Sequence, residues 1–239
     1  MSQATSFGAA AGDYEQGRPG YPADAVAWLL GASPGRVLDL GAGTGKLTAL
    51  VADVAAEVVA VDPDVAMLET LTRSLPDVST AVGQAEQIPL RDASVDAVLL
   101  GQAWHWVDVA AASAEIARVL RPGGTLGLIW NIRDSREPWV AGLGVAMHGS
   151  AAESLIEGEG PRVAAPFSGL DTRRWEWART MSADDVRAMV RSRSYYITGD
   201  AEFRACVDRD VEAVLTGLPS REGEVSLPYV THAFRAHRP

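Results

Sequence analysis

Two hydrophobic patterns alternate along the first 130 residues. Short, nearly unbroken apolar runs at 37–40, 58–62, 95–100 and 126–130 read as strands buried on both faces. Between them lie stretches with helical spacing, from Lys46 to Ala55, from Asp64 to about Ser74 and from Val109 to Leu120. Arg121-Pro122-Gly123-Gly124 stops the last of these. A weaker strand is expected near 79–82 and a helix at 24–30. This β-α-β-α succession predicts an α/β fold, a mostly parallel sheet with helices on both faces.

The last third changes character. Ser182-Ala183-Asp184-Asp185 has the form of a capping box opening a helix, with Asp where Glu or Gln is usual. Residues 174–179 and 228–235 read as late strands that complete the sheet, and the Gly- and Pro-rich segment 158–169 reads as a loop. No repeat or low-complexity linker divides the chain, so one domain over 1–239 is expected.

Composition narrows the function. The 239 residues are 47% hydrophobic, as in a globular domain, and no apolar run approaches the roughly 18 residues of a membrane span. The start has neither a basic n-region nor an apolar h-region. Cys206 is alone, which rules out an internal disulfide or a multi-cysteine metal site; a cytoplasmic location is expected. The net charge of −10, from 21 basic and 31 acidic residues, repels phosphate backbones. A small molecule is therefore the expected partner, with no nucleic acid and no membrane, and with the chain a monomer or homodimer.

Candidate chemistry begins at Asp39-Leu40-Gly41-Ala42-Gly43-Thr44-Gly45, between the first strand and its helix. Glycines let the backbone turn tightly and approach a ligand. A dinucleotide loop needs glycine at 46, where Lys46 stands; a P-loop needs glycine at 40 and Ser or Thr at 47, where Leu40 and Leu47 stand. What remains is a carboxylate two places before Gly-x-Gly-x-Gly, wrong for a pyrophosphate and suited to an ammonium or another cation. Asp62 ends the second strand, 19 residues after Gly43, where an acidic residue can accept from both ribose hydroxyls.

With Val61-Asp62-Pro63 and Leu120-Arg121-Pro122-Gly123-Gly124, the glycine turn makes residues 36–131 resemble the class I S-adenosylmethionine-dependent methyltransferases. The match is close to the small-molecule branch that includes the quinone-biosynthesis and trans-aconitate enzymes. The resemblance implies a Rossmann-like, doubly wound seven-stranded sheet with an antiparallel last strand. It also implies S-adenosyl-L-methionine across the strand ends, leaving as S-adenosyl-L-homocysteine. Gly41, Ala42 and Gly43 would lie beside its methionine part, Asp39 nearby, and Asp62 with Pro63 at the ribose. Met67 would neighbour the adenine, the alternative being a helix-core methionine. Many relatives carry Asp-Ala after the third strand, whereas this chain has Gly83-Gln84-Ala85-Glu86. Gln84 or Glu86 would take the adenine amino group and the Ala85 amide the ring. Segment 1–30 would be an N-terminal helical lid, with Tyr14 and Arg18 at the methionine carboxylate; 36–131 the cofactor core; 132–200 the acceptor pocket; and 201–239 the closing helix and strand.

The stretch Gly101-Gln102-Ala103-Trp104-His105-Trp106 ends the fourth strand and would then lie beside the methyl group. Gln102 would face the cofactor, and Trp104 and Trp106 would wall a water-poor pocket. His105 is a candidate general base for a hydroxyl, phenol or amine; alternatively it only hydrogen-bonds and shapes the site. Asn131, Arg133, Arg193 and Tyr195 would border the acceptor, the arginines holding an anionic one. The expected activity is methyl transfer to a small molecule, preferably at oxygen, by in-line displacement with no metal. The alternatives are N- or C-methylation, a macromolecular acceptor, or a non-catalytic cofactor-binding regulator.

Overall fold

The computed structural model describes residues 19–31, 34–218 and 224–239. Seven strands form one sheet: β1 (Arg36–Leu40), β2 (Glu57–Asp62), β3 (Ser79–Val82), β4 (Val95–Gly101), β5 (Leu120–Arg133), β6 (Asp171–Ser182) and β7 (Glu224–His237). Their order is β3-β2-β1-β4-β5-β7-β6. The first five are parallel, and β7 runs antiparallel to β5 and β6, between which it lies. Strand order reverses between β1 and β4, and the carboxyl ends of these two strands open the crevice where doubly wound sheets bind ligands.

Alternation along the strands sorts side chains to two faces. Leu38, Leu40, Val59, Val61, Val98 and Leu100 share one buried cluster with Ile116 of α4 (Val109–Val119). Val37, Val58, Ala97 and Leu99 join the other, packed on α1 (Ala23–Leu30) and α2 (Lys46–Ala52). Polar caps start the helices where the sequence turns apolar: Asp64 accepts from the amides of Ala66 and Met67 at the start of α3 (Val65–Ser74), and Asp108 from Ala111 N at the start of α4. Of the expected lid segment, residues 1–18 lie outside the described residues. Its later part, α1, buries Ala25, Val26 and Leu29 against the sheet and is a core helix.

Beyond β5 come α5 (Pro138–Ala146), α6 (Ala151–Glu157), α7 (Ala183–Arg191), α8 (Ser194–Thr198) and α9 (Ala201–Thr216). Val140, Leu143, Val186, Met189, Val207 and Val211 from α5, α7 and α9 meet Met181, Leu227 and Tyr229 of the late strands in a separate apolar cluster. The capping box forms: Ser182 Oγ accepts from Asp185 N, and Asp185 Oδ2 accepts from Ser182 N, each at 3.1 Å.

Two expectations need correction. The Arg121–Gly124 turn lies inside β5 as a bulge, because pairing with β4 starts at Val95↔Leu120 and resumes at Ala97↔Thr125. The late strands run 171–182 and 224–237, longer than the apolar runs alone suggest, since continuous antiparallel pairing carries their polar ends. Among the described residues no helix is long and apolar enough to cross a membrane.

Leu99 has no exposed surface, and its side chain fills the space facing Gly127. Leu99→Ala should cost about 2–5 kcal/mol in urea unfolding, and Val54→Ala, on the surface, under about 0.5 kcal/mol. Equal effects would place Leu99 outside the core.

Candidate active site at the carboxyl ends of β1 and β4

The glycine turn hangs from β2. Gly41 N and Ala42 N both donate to Val61 O, at 2.7 and 3.1 Å. Gly41 has φ +72° and faces the loop after β4, where a Cβ would come 2.9 Å from Ala103 Cβ, so only glycine fits this turn. Asp62 ties the turn down: its Oδ2 accepts from Gly43 N and its Oδ1 from Asp64 N, both at 2.8 Å. Burial raises its carboxyl above the usual range, against the pull of those two amides.

Asp39 is almost wholly enclosed. Thr48 Oγ1 donates to its Oδ2 at 2.6 Å, while its Oδ1 has no hydrogen-bond partner among the described residues. Burial pushes this carboxyl up to about 7, with Asp62 adding and Thr48 opposing. Asp39 and Thr44, whose buried Oγ1 is also unpartnered, line a small cavity of about 40 Å³ that Gly41, Gly101, Gln102 and Asn131 share.

A larger cleft of about 810 Å³ adjoins it. One end is lined by Asp62, Pro63, Met67, Gly83, Gln84, Ala85 and Glu86. Glu86 Oε1 accepts from Asp108 N at 2.8 Å and so holds the start of α4, while Gln84 bridges to Gln87 through its backbone. Gln102 takes φ +56°, rare for a residue with a Cβ; its amide donates to Ile129 O at 2.9 Å and its side chain to Asn131 O at 3.0 Å. Asn131 is equally committed, accepting from Thr231 Oγ1 at 2.6 Å and donating to Gly20 O at 2.9 Å.

The two tryptophans after β4 part company. Residues 104–106 form a single 3-10 turn, which sends their side chains in different directions. Trp104 is 2% exposed, sits in the core and donates to Arg162 O at 2.9 Å; it does not line the cleft. Trp106 is 48% exposed at the cleft's rim. His105 lines the cleft with its ring 4.9 Å from that of Trp106. Its Nδ1 faces the indole N–H of the buried Trp130 at 3.5 Å.

Arg133, at the end of β5, is buried and bonded to Glu153 Oε1 of α6 at 2.5 Å; it stands behind the cleft rather than in its wall. Arg193 and Tyr195 line the cleft. So do His148, Gly149, Ser150 and Ser154, which the sequence reading passed over. Their one sequence signal is Ser150 before Ala151-Ala152-Glu153, the N-cap of α6, where Ser150 Oγ accepts from Glu153 N. Tyr14 and Arg18 lie outside the described residues.

Sheet order, glycine turn and cleft define a Rossmann-like fold of the methyltransferase kind. A family model described as a methyltransferase domain matches residues 38–128. An uncharacterized methyltransferase of Mycobacterium tuberculosis is 46% identical over 235 residues, 97% of this chain and 95% of its own. A malonyl-[acyl-carrier protein] O-methyltransferase of Methylococcus capsulatus is 41% identical over 132 residues, 51% of this chain and 48% of its own. The solved structure of a candidate type II methyltransferase from Anaeromyxobacter dehalogenans superposes with a TM-score of 0.66 at 25% identity, covering 92% of this chain and 98% of that one. The chain belongs to the class I S-adenosylmethionine-dependent methyltransferases.

Asp39 sets a pH dependence. With a folded pKa near 7 and about 3.9 unfolded, it keeps a proton in the fold that the unfolded chain has lost. Its contribution to stability is therefore fully present below about pH 4 and is lost as pH rises through 7. Asp39→Asn does not titrate, so without ligand its stability relative to the parent should rise by roughly 1–4 kcal/mol between pH 4 and 8 in urea unfolding. A pH-independent difference would mean that Asp39 ionises freely in the fold.

Proposed function

We propose that the protein binds S-adenosyl-L-methionine in this cleft and transfers its methyl group to an oxygen of a small molecule. The observation that carries the reading is the unpartnered Oδ1 of buried Asp39 beside the glycine turn. A buried carboxylate lacking a donor is costly alone and suits a ligand that brings a cation. The ammonium of the methionine part is such a group, with Gly41, Ala42 and Gly43 leaving room for it. Asp62 accepts from the ribose through lone pairs that its two amides leave free, with Pro63 and Met67 as apolar neighbours of the nucleoside. Because Glu86 already serves Asp108 N, Gln84 is the better partner for the adenine amino group and the Ala85 amide for the ring.

The cofactor supplies a methyl group that its sulfonium already activates for direct displacement. The protein's part is to align the acceptor and exclude water. Gln102, locked by its two bonds, and Trp106 at the rim frame the transfer side of the cleft. The Trp130 indole N–H faces Nδ1, which accepts from it and holds the ring at the cleft wall, where His105 is placed to position the acceptor molecule. That geometry favours orienting the acceptor over removing its proton. Oxygen as the methylated atom draws support from the Methylococcus relative, named as an O-methyltransferase. The reading includes a cytoplasmic setting, a monomer or homodimer, and neither nucleic acid nor membrane as partner.

Asp62→Ala should weaken S-adenosyl-L-methionine binding by about 1–3 kcal/mol in isothermal titration, with a melting curve reporting that the variant folds. Unchanged affinity in a folded variant would take Asp62 out of the site.

His105→Gln should lower kcat/KM roughly 10–100-fold while the pH–rate profile keeps its shape. An acid limb present in the parent and missing from the variant would instead make His105 the general base.

A further inference from the structure

Among the described residues, the cleft holds one positive charge that no ion pair balances. Arg133 is spent on Glu153, which Ser150 Oγ also engages at 3.0 Å. Arg193, between α7 and α8, makes no ion pair among the described residues, and its buried Nε has no hydrogen-bond partner. It lines both the 810 Å³ cleft and the 40 Å³ cavity. The two guanidinium groups stand close enough for Arg193 to depress Arg133 further than burial alone. The same surroundings act on the buried Tyr229 hydroxyl: Arg193, Arg133 and Arg179 press it toward ionisation, while burial, the largest influence, and Glu153 oppose this. In a chain of net charge −10, Arg133 and Arg193 near the one carboxylate of Glu153 leave a positive charge without an ion-pair partner among the described residues.

We propose that Arg193 receives a carboxylate of the methyl acceptor, which makes the substrate class small organic acids. The proposal rests on the methyl-transfer reading above, whose acceptor it specifies. A guanidinium is planar, presents a fork of donors that matches a carboxylate, and cannot shed its proton to escape burial. One uncompensated charge suits one carboxylate; a phosphate dianion calls for a second free cation, and Glu153 has taken Arg133. A neutral acceptor of the same shape would cover the half-buried Arg193 without supplying a counter-charge, so the site selects against it.

Matched probes test this on the full chain saturated with S-adenosyl-L-homocysteine. Benzoate and succinate are titrated against benzamide and succinamide, with inorganic phosphate as a further arm. Both carboxylates should bind about tenfold or more tightly than their amides, and Arg193→Gln should abolish the preference while holding the affinity for S-adenosyl-L-homocysteine within about twofold. No preference in the parent, or phosphate binding tighter than both carboxylates, would overturn the substrate class. A tenfold loss of S-adenosyl-L-homocysteine affinity in Arg193→Gln would assign the arginine to the cofactor's own carboxylate and overturn the proposal. If the glutamine variant fails to fold, Arg193→Lys decides, since it keeps the charge and loses the fork. A carboxylate preference reduced about threefold supports the proposal, and an undiminished one sinks it. Failure of the parent to bind S-adenosyl-L-homocysteine at all would be a failure of the methyl-transfer reading, visible before any acid is added.

Discussion

The Asp62 carboxylate accepts from the backbone of two different turns, and the ligand end of the sheet rests on that arrangement. One bond reaches the glycine turn after β1, and the other holds the start of α3. The turn itself hangs from Val61 O by two amides, so its position is set by β2 as much as by β1. Only glycine can take the turn's positive φ and its close approach to the loop after β4. The outcome is a concave backbone surface with two buried carboxylates, Asp39 and Asp62, beside it. Breaking either of the two bonds to Asp62 would loosen a turn at the crevice.

Charge placement follows from that geometry. Burial raises the Asp39 carboxyl to about 7, and its Oδ1 has no partner among the described residues, a cost the fold carries because the neighbouring contacts fix the group in place. Of the two arginines nearby, Arg133 is neutralised by Glu153, and Arg193 makes no ion pair among the described residues. Carboxyls and a guanidinium thus border one connected space, with Asp39 and Arg193 both lining its small cavity. Little of this follows from the net charge of the chain, which is −10.

What the sequence revealed, and what it hid, divides by the range of the interactions. Glycine turn, Asp39, Asp62 and the five parallel strands were legible because the glycine spacing, the apolar runs and the acid closing the second strand are marks carried by the local sequence itself. Trp104 and Trp106 were not separable, since their split depends on a 3-10 turn that no apolar pattern announces. Arg133 reads as a free cation until α6 brings Glu153 to it, 20 residues on. The partners of Asn131, at Gly20 and Thr231, lie 111 and 100 residues away. The bulge at Arg121–Gly124 was hidden for a related reason: a turn motif and a bulged strand share the same Pro-Gly-Gly punctuation, and only pairing with β4 decides between them.

The two ends of the cleft also rest on different cores. The cofactor end is built on the sheet and its flanking helices, whereas α5, α7 and α9 pack on the ends of β6 and β7 in a cluster of their own. What joins them is polar. Trp177 Nε1 donates to Thr231 Oγ1 at 2.8 Å, Thr231 donates to Asn131, and Asn131 donates to Gly20 O, linking the late strands through β5 to the residues before α1. The Arg133–Glu153 pair ties α6, whose Ala152 packs in the sheet's own core, to the end of β5. Such bonds fix position while contributing modestly to stability, because a partly satisfied buried network costs more than an apolar contact. Side chains carried by the second cluster can therefore change, and with them the molecule accepted, while the turn that holds Asp39 and Asp62 keeps its shape.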